Sequence, residues 1–149
     1  METTWDGLPV ARENPVAVAI ALWRPTPRGR EYLILHRHHG GPDREGDWAW
    51  TPPAGARQPG EDPRAAAQRE LREETGLELA FEPLAHETDD VALFVAEAPA
   101  GARVVLDAEH DRFEWMTLEA ARARCLPAIV GRGLELADEW AARGSDARR

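Results

Sequence analysis

Three glutamates, Glu70, Glu73 and Glu74, stand at positions i, i+3 and i+4 of a stretch that reads as helix. That spacing puts their carboxylates side by side on one helical face. Glu70 meets Glu74 at i+4, and a continued helix would set Glu74 against Glu78. Only Glu73 has a helical counter-charge, Arg69, and in the less favourable order with the cation N-terminal. Like-charge pairs of this kind oppose the helix by about 0.2–0.5 kcal/mol each. Locally frustrated positions tend to be functional ones. A face so short of positive charge needs a cation from outside, and oxygen-only ligands suit Mg²⁺, with Mn²⁺ as a substitute.

The surrounding residues define how such a face is held. Gly55 and Gly60 allow a tight loop before the helix. Asp62 is the expected N-cap and Pro63 the first helical residue. Good helix formers follow as far as Thr75, and Gly76 is the expected terminator. Ala67 and Leu71 form a neighbouring stripe that can face a core.

Gly55, Glu61, Arg69, Glu70, Leu71, Glu73, Glu74, Gly76 and Leu77 match every fixed position of the Nudix hydrolase signature, and the segment 55–77 resembles it closely. A chance match is on the order of one in a billion per starting position. The resemblance implies an α/β fold, an α/β/α sandwich with a mixed sheet. It implies a Mg²⁺-dependent pyrophosphohydrolase that cleaves a phosphoanhydride bond of a nucleoside diphosphate linked to another moiety. Glu70, Glu73 and Glu74 correspond to the family's metal-binding glutamates. Arg69 and Glu61 correspond to its arginine and loop glutamate, where a salt bridge would brace loop against helix. The general base varies in the family, and Glu61, Glu73 and Glu109 are the candidates here. Glu109 belongs to the segment 108–116, similar to one in which a Glu-His pair precedes an aromatic strand and returns a glutamate to the metals; His110 is expected as a structural hydrogen-bonder.

Substrate class rests on fewer residues. Trp50-Thr51-Pro52-Pro53-x-Gly55 together with Glu109-His110 is similar to diadenosine tetraphosphate hydrolases of the family. Those commonly carry lysine where this chain has Ala54, which suits a smaller substrate such as a nucleoside triphosphate. Trp48 and Trp50 can stack a base, worth about 1–3 kcal/mol, or pack in the core. Arg37, within His36-Arg37-His38-His39, can meet phosphate from a strand end. The alternative reading is a non-hydrolytic nucleotide-binding or sensing domain; such relatives often lack a metal glutamate, and none is missing here.

Composition bounds the rest. The 149 residues carry a formal charge of −9 and a pI near 5.0, with 43% hydrophobic and 30% charged residues. One domain with a real core is expected, spanning 13–143, after an N-terminal segment 1–12 in which Trp5 and Leu8 can dock, and before a disordered tail 144–149. An acidic chain gains no counterion-release affinity for nucleic-acid polymers, so the expected partner is a small nucleotide. The single cysteine, Cys125, excludes an internal disulfide and reads as a partly buried apolar residue. No signal peptide or membrane span is recognised, which makes a cytoplasmic location the expectation. The resemblance also implies a possible homodimer. Strands are expected at 16–23, 32–36, 48–51, 77–84, 91–96 and 112–116, and helices at 63–75, 118–124 and 127–143.

Overall fold

Alternation in β1 (Ala17–Thr26) sets the two sides of the molecule. Val18, Ile20 and Leu22 point to one face, Ala21 and Trp23 to the other, and both faces are covered. The computed structural model describes the backbone of residues 3–4, 7–85 and 88–147, and side chains as far as residue 144. Trp5 and His86 lie outside the described residues. Leu8 is exposed rather than docked.

The sheet order is β3-β2-β1-β6-β5, with β4 on β1 and β7 on β2. The remaining strands are β2 (Gly29–Arg37), β3 (Trp50–Thr51), β4 (Ala54–Ala56), β5 (Glu82–Leu84), β6 (Val91–Glu97) and β7 (His110–Thr117). β1 and β6 run parallel, and every other pair is antiparallel. β1 shares itself between two partners: residues 23–26 pair with β2, and residues 17–19 pair with β4. The result is a mixed sheet with helices on both sides, the expected α/β class.

Helix α1 (Pro63–Thr75) packs over Val18, Ile20, Leu22, Leu33 and Leu35 through Ala66, Ala67 and Leu71. Its start is as expected: Asp62 Oδ2 accepts from the Arg64 and Ala65 amides at 3.0 and 3.2 Å. Its end is Gly76, in the left-handed region at φ 75°. Helices α2 (Leu118–Arg124) and α3 (Ala128–Ala147) cover the opposite face, over Trp23, Tyr32, Ile34 and Trp50. Thr117 caps α2, its Oγ1 accepting from the Ala120 amide at 3.2 Å. α3 continues past Arg143 to Ala147, so residues 144–147 are helical rather than a tail. Each large apolar side chain removed from water contributes about 1.5–3 kcal/mol.

One expected strand is mostly absent. Only Glu82–Leu84 of the segment 77–84 joins the sheet. Leu77 and Leu79 pack on the α1 side without a ladder partner. The helix ends so close to the core that these residues bury their side chains before the chain reaches β6.

Candidate active site

Helix α1 turns its carboxylates toward the strand–loop that precedes it. Glu74 is 1% exposed, Glu70 is 8% exposed, and the Glu73 side chain is 51% exposed. The acidic face is therefore graded from buried to open. Glu74 Oε1 accepts from the Ala54 amide at 3.1 Å, while its Oε2 is buried with no hydrogen-bond partner among the described residues. Gly55 lies against Glu70 so closely that a Cβ there would overlap the whole carboxylate. Glu78 lies beyond the Gly76 stop and off the helix, so the i+4 pairing with Glu74 does not form.

Arg69 joins loop and helix. Its Nε and Nη2 donate to the two oxygens of Glu61 at 2.9 Å each, and Nη2 also donates to the Ala56 carbonyl at 3.0 Å. Its Nη1 reaches Glu70 Oε1 at 2.7 Å and Glu73 only at 3.5 Å. The bidentate Glu61–Arg69 pair is the brace expected from the sequence. The Arg69 hydrogen bonds hold the Glu61 carboxyl below its usual range, against the opposing effect of burial. Glu61 Oε1 also accepts from the Gln58 amide at 2.9 Å, so both oxygens are engaged.

Burial, then the nearness and charge of the Glu70 carboxyl, drive the Glu74 carboxyl well above the usual carboxylate range. Partial burial, then the charge of Glu70, raises Glu73 as well. A buried carboxyl set beside another acid favours added positive charge nearby. A buried carboxylate oxygen with no partner, beside a cradle that only glycine leaves open, fits a hard divalent cation with all-oxygen ligands.

Of these acids, Glu70 lines a cleft of about 450 Å³. Glu70, Glu109, Arg37, Trp48 and Ala54 all line it. Glu109 thus joins the site from the turn before β7, although 35 positions separate it from Glu74 (109 − 74). Asp107, Glu109 and His110 bring potential ligand atoms within 4.8 Å of one another. His110 is buried and its Nδ1 pairs with Asp107 at 2.9 Å, the structural role expected of it. Arg37 reaches the cleft just past a bulge in the β2–β7 ladder, and its Nε is buried with no hydrogen-bond partner among the described residues. Trp48 sits 46% exposed at φ 64°, a conformation rare for a side chain this large, held by its backbone N–H, which donates to the Leu126 carbonyl at 2.6 Å.

Trp50 does not belong to the cleft. It is 1% exposed, its Nε1 donates to Glu45 at 2.7 Å, and its rings contact His36, Arg112 and Arg124. Of the two expected tryptophans, only Trp48 is available to a base. His36 is likewise structural, buried between Asp111 at 2.8 Å and the Arg44 carbonyl at 2.8 Å. His38 and His39 are exposed, and the four-residue cluster does not converge on a site.

The floor of the cleft went unrecognised in the sequence. Ala17, Ala19 and Ala21 of β1 face α3, where Val130, Gly133 and Leu134 form the other wall. The signal was the alternation Val-Ala-Val-Ala-Ile-Ala, with the small residue always on the same side.

Comparison with known proteins agrees with this arrangement. The sequence model of the NUDIX domain matches residues 13–133. An asymmetrical bis(5'-nucleosyl)-tetraphosphatase from Mus musculus is 34% identical over 104 residues, covering 61% of this chain and 67% of that protein. An octanoyltransferase from Myxococcus xanthus is 36% identical over 121 residues, 73% of this chain, but the chain spans only 32% of that protein's length. Among solved structures, a C. elegans Ap4A hydrolase in a binary complex superposes with a TM-score of 0.69 at 28% identity, over 85% of this chain and 96% of that one. With the complete signature folded into a braced acidic helix and the domain matched across most of its length, the chain belongs to the Nudix hydrolase family.

Proposed function

We propose that this protein is a divalent-cation-dependent pyrophosphohydrolase. Its substrates are nucleoside diphosphates linked to a further moiety, with nucleoside triphosphates and dinucleoside polyphosphates as the favoured classes. The observation that carries the reading is Glu70 lining a nucleotide-sized cleft, backed by buried Glu74 with its unpartnered oxygen.

Glu70, Glu73 and Glu74 would hold Mg²⁺ or Mn²⁺. Bound there, the cation supplies neutralisation of phosphate charge and a water of lowered pKa. Arg69 fixes the Glu70 carboxylate, and Glu61 fixes Arg69. With both oxygens engaged by Arg69 and Gln58, Glu61 is suited to bracing rather than to taking a proton. Glu109 lines the cleft with Glu70, whereas Glu73 does not, and Glu109 is the general base that accepts the proton of the attacking water. Arg37 supplies the cationic donor toward phosphate that Ala54 cannot. Trp48 stacks the base at the mouth of the cleft.

A panel of nucleoside triphosphates, dinucleoside polyphosphates, nucleotide sugars and ADP-ribose, assayed with Mg²⁺ and with Mn²⁺, tests the proposal. Release of phosphate or pyrophosphate products that stops in excess chelator supports it. Turnover undiminished by chelator, or none across the panel, overturns it.

A further inference from the structure

Arg57 is a cation with no part in the chemistry above, yet it is 8% exposed. Its three guanidinium nitrogens each donate to a different backbone carbonyl. Nε reaches Pro15 at 2.6 Å, Nη1 reaches Glu61 at 2.7 Å, and Nη2 reaches Glu13 at 2.7 Å. Its own backbone adds two more ties: the amide donates to Val16 O at 2.8 Å, and the carbonyl accepts from Ala11 at 2.7 Å. Burying a guanidinium is unfavourable unless its donors are satisfied, and here neutral carbonyls alone take all three nitrogens.

Those carbonyls belong to two segments with different tasks. Residues 13 and 15 lead into Val16 and Ala17, which line the cleft. Glu61 ends the loop whose carboxylate grips Arg69, and Arg69 holds Glu70. Within that loop the Glu61 amide donates to Gln58 O at 3.0 Å, so a shift at Glu61 displaces the whole turn.

We propose that Arg57 is a positioning residue: it pins the Glu61 loop to the segment at 13–15 and so sets Arg69 and the Glu70 carboxylate. It touches neither substrate nor metal ligand. Lysine keeps the charge, but its single nitrogen cannot span carbonyls on residues 13, 15 and 61. The catalytic consequence rests on the hydrolase reading; the loop's order does not.

Arg57→Lys and Arg57→Ala are compared with the parent. Without metal, hydrogen exchange at the Gln58 and Glu61 amides should quicken about ten-fold or more in Arg57→Lys, with the β2–β7 ladder unchanged. Mn²⁺ affinity, titrated without substrate, should fall about ten-fold, as for other residues that orient metal ligands. With substrate, kcat should fall while KM stays within about two-fold, and adding Arg57→Lys to Glu61→Gln should do little more to kcat. Unchanged exchange and Mn²⁺ affinity would overturn the proposal, as would additive losses in the double variant or a change in KM alone. If Arg57→Ala does not fold, Arg57→Lys carries the test. If no variant or parent hydrolyses any nucleotide, the hydrolase reading fails, and the exchange and Mn²⁺ results still decide the role of Arg57.

Discussion

Gly55 presses its bare α-carbon against the carboxylate of Glu70, and no other residue leaves room for that acid. Because Gly55 does not have a positive φ, the requirement is one of space alone. Gly55→Ala should therefore fold with little backbone strain but displace Glu70. Calorimetric titration with Mn²⁺ should show at least about ten-fold weaker binding, with kcat falling in parallel. Wild-type affinity in that variant would contradict the cradle.

Glu74→Gln should separate activity from stability. The buried carboxyl is held far above its usual range by burial and by Glu70, so a neutral amide suits its surroundings in the metal-free protein. Thermal melting without metal should give a Tm equal to or above the parent's. Activity should fall by about 10²–10³ or more, the loss typical of a major electrostatic contribution. A variant that is both less stable and fully active would be the opposite result.

The two tryptophans should respond in opposite ways. Trp50→Ala empties a site in the core and should cost about 3–5 kcal/mol of stability, seen in urea unfolding. Trp48→Gly removes an exposed ring and relieves a left-handed conformation worth about 1–2 kcal/mol, so its Tm should hold or rise. Its KM should increase about ten-fold as the stacking contribution is lost. An unchanged KM would remove Trp48 from the substrate site.

Ala54→Lys places an ammonium at the edge of the cleft. KM for a dinucleoside tetraphosphate should drop, by about ten-fold for one added phosphate contact, and more than for a nucleoside triphosphate. Equal KM values across chain lengths in parent and variant would refute it.

Alkaline conditions should weaken the fold through two buried acids. Burial pushes the Cys125 thiol up to about 12. Burial first, and the hydrogen bond to Asp138 second, raises the Tyr32 hydroxyl as well. In the unfolded chain these groups ionise near 8.5 and 10. The unfolded state thus releases protons first, so stability that is complete below about pH 8.5 declines as pH climbs. Each group contributes a slope of about 1.4 kcal/mol per pH unit between its unfolded and folded values. Cys125→Ala should flatten the decline between pH 9 and about 10, measured by urea midpoints. Parallel curves for parent and variant would exclude the thiol as a cause.

Helix α1 was legible because its determinants are local: Asp62 caps it, Pro63 opens it and Gly76 closes it. The Glu61–Arg69 brace was legible only through the family pattern, since nothing in the spacing of the two residues gives their distance. The inequality of the three acids was not legible. Successive helical residues turn by about 100°, which puts Glu73 and Glu74 on opposite sides of Glu70, and only the position of the sheet decides which is buried. Trp50 has the same explanation: β3 is two residues long, and its facing is set by pairing with Leu35 and His36. The stretch 77–81 has strand-like composition but pairs with no strand, and composition cannot report an absent partner.

The division of β1 between β2 and β4 has an evolutionary corollary. β4 carries the glycine that cradles the acid, whereas β2 leads into the loop that ends at Trp48. The glycine that shapes the acidic face and the exposed Trp48 ring therefore hang from separate ladders on a shared spine. Exposed side chains of the connecting loop, such as His39 and Asp43, can change without touching that glycine, whereas the Arg44 carbonyl and Glu45 hold His36 and Trp50 and tie the loop's length to the core.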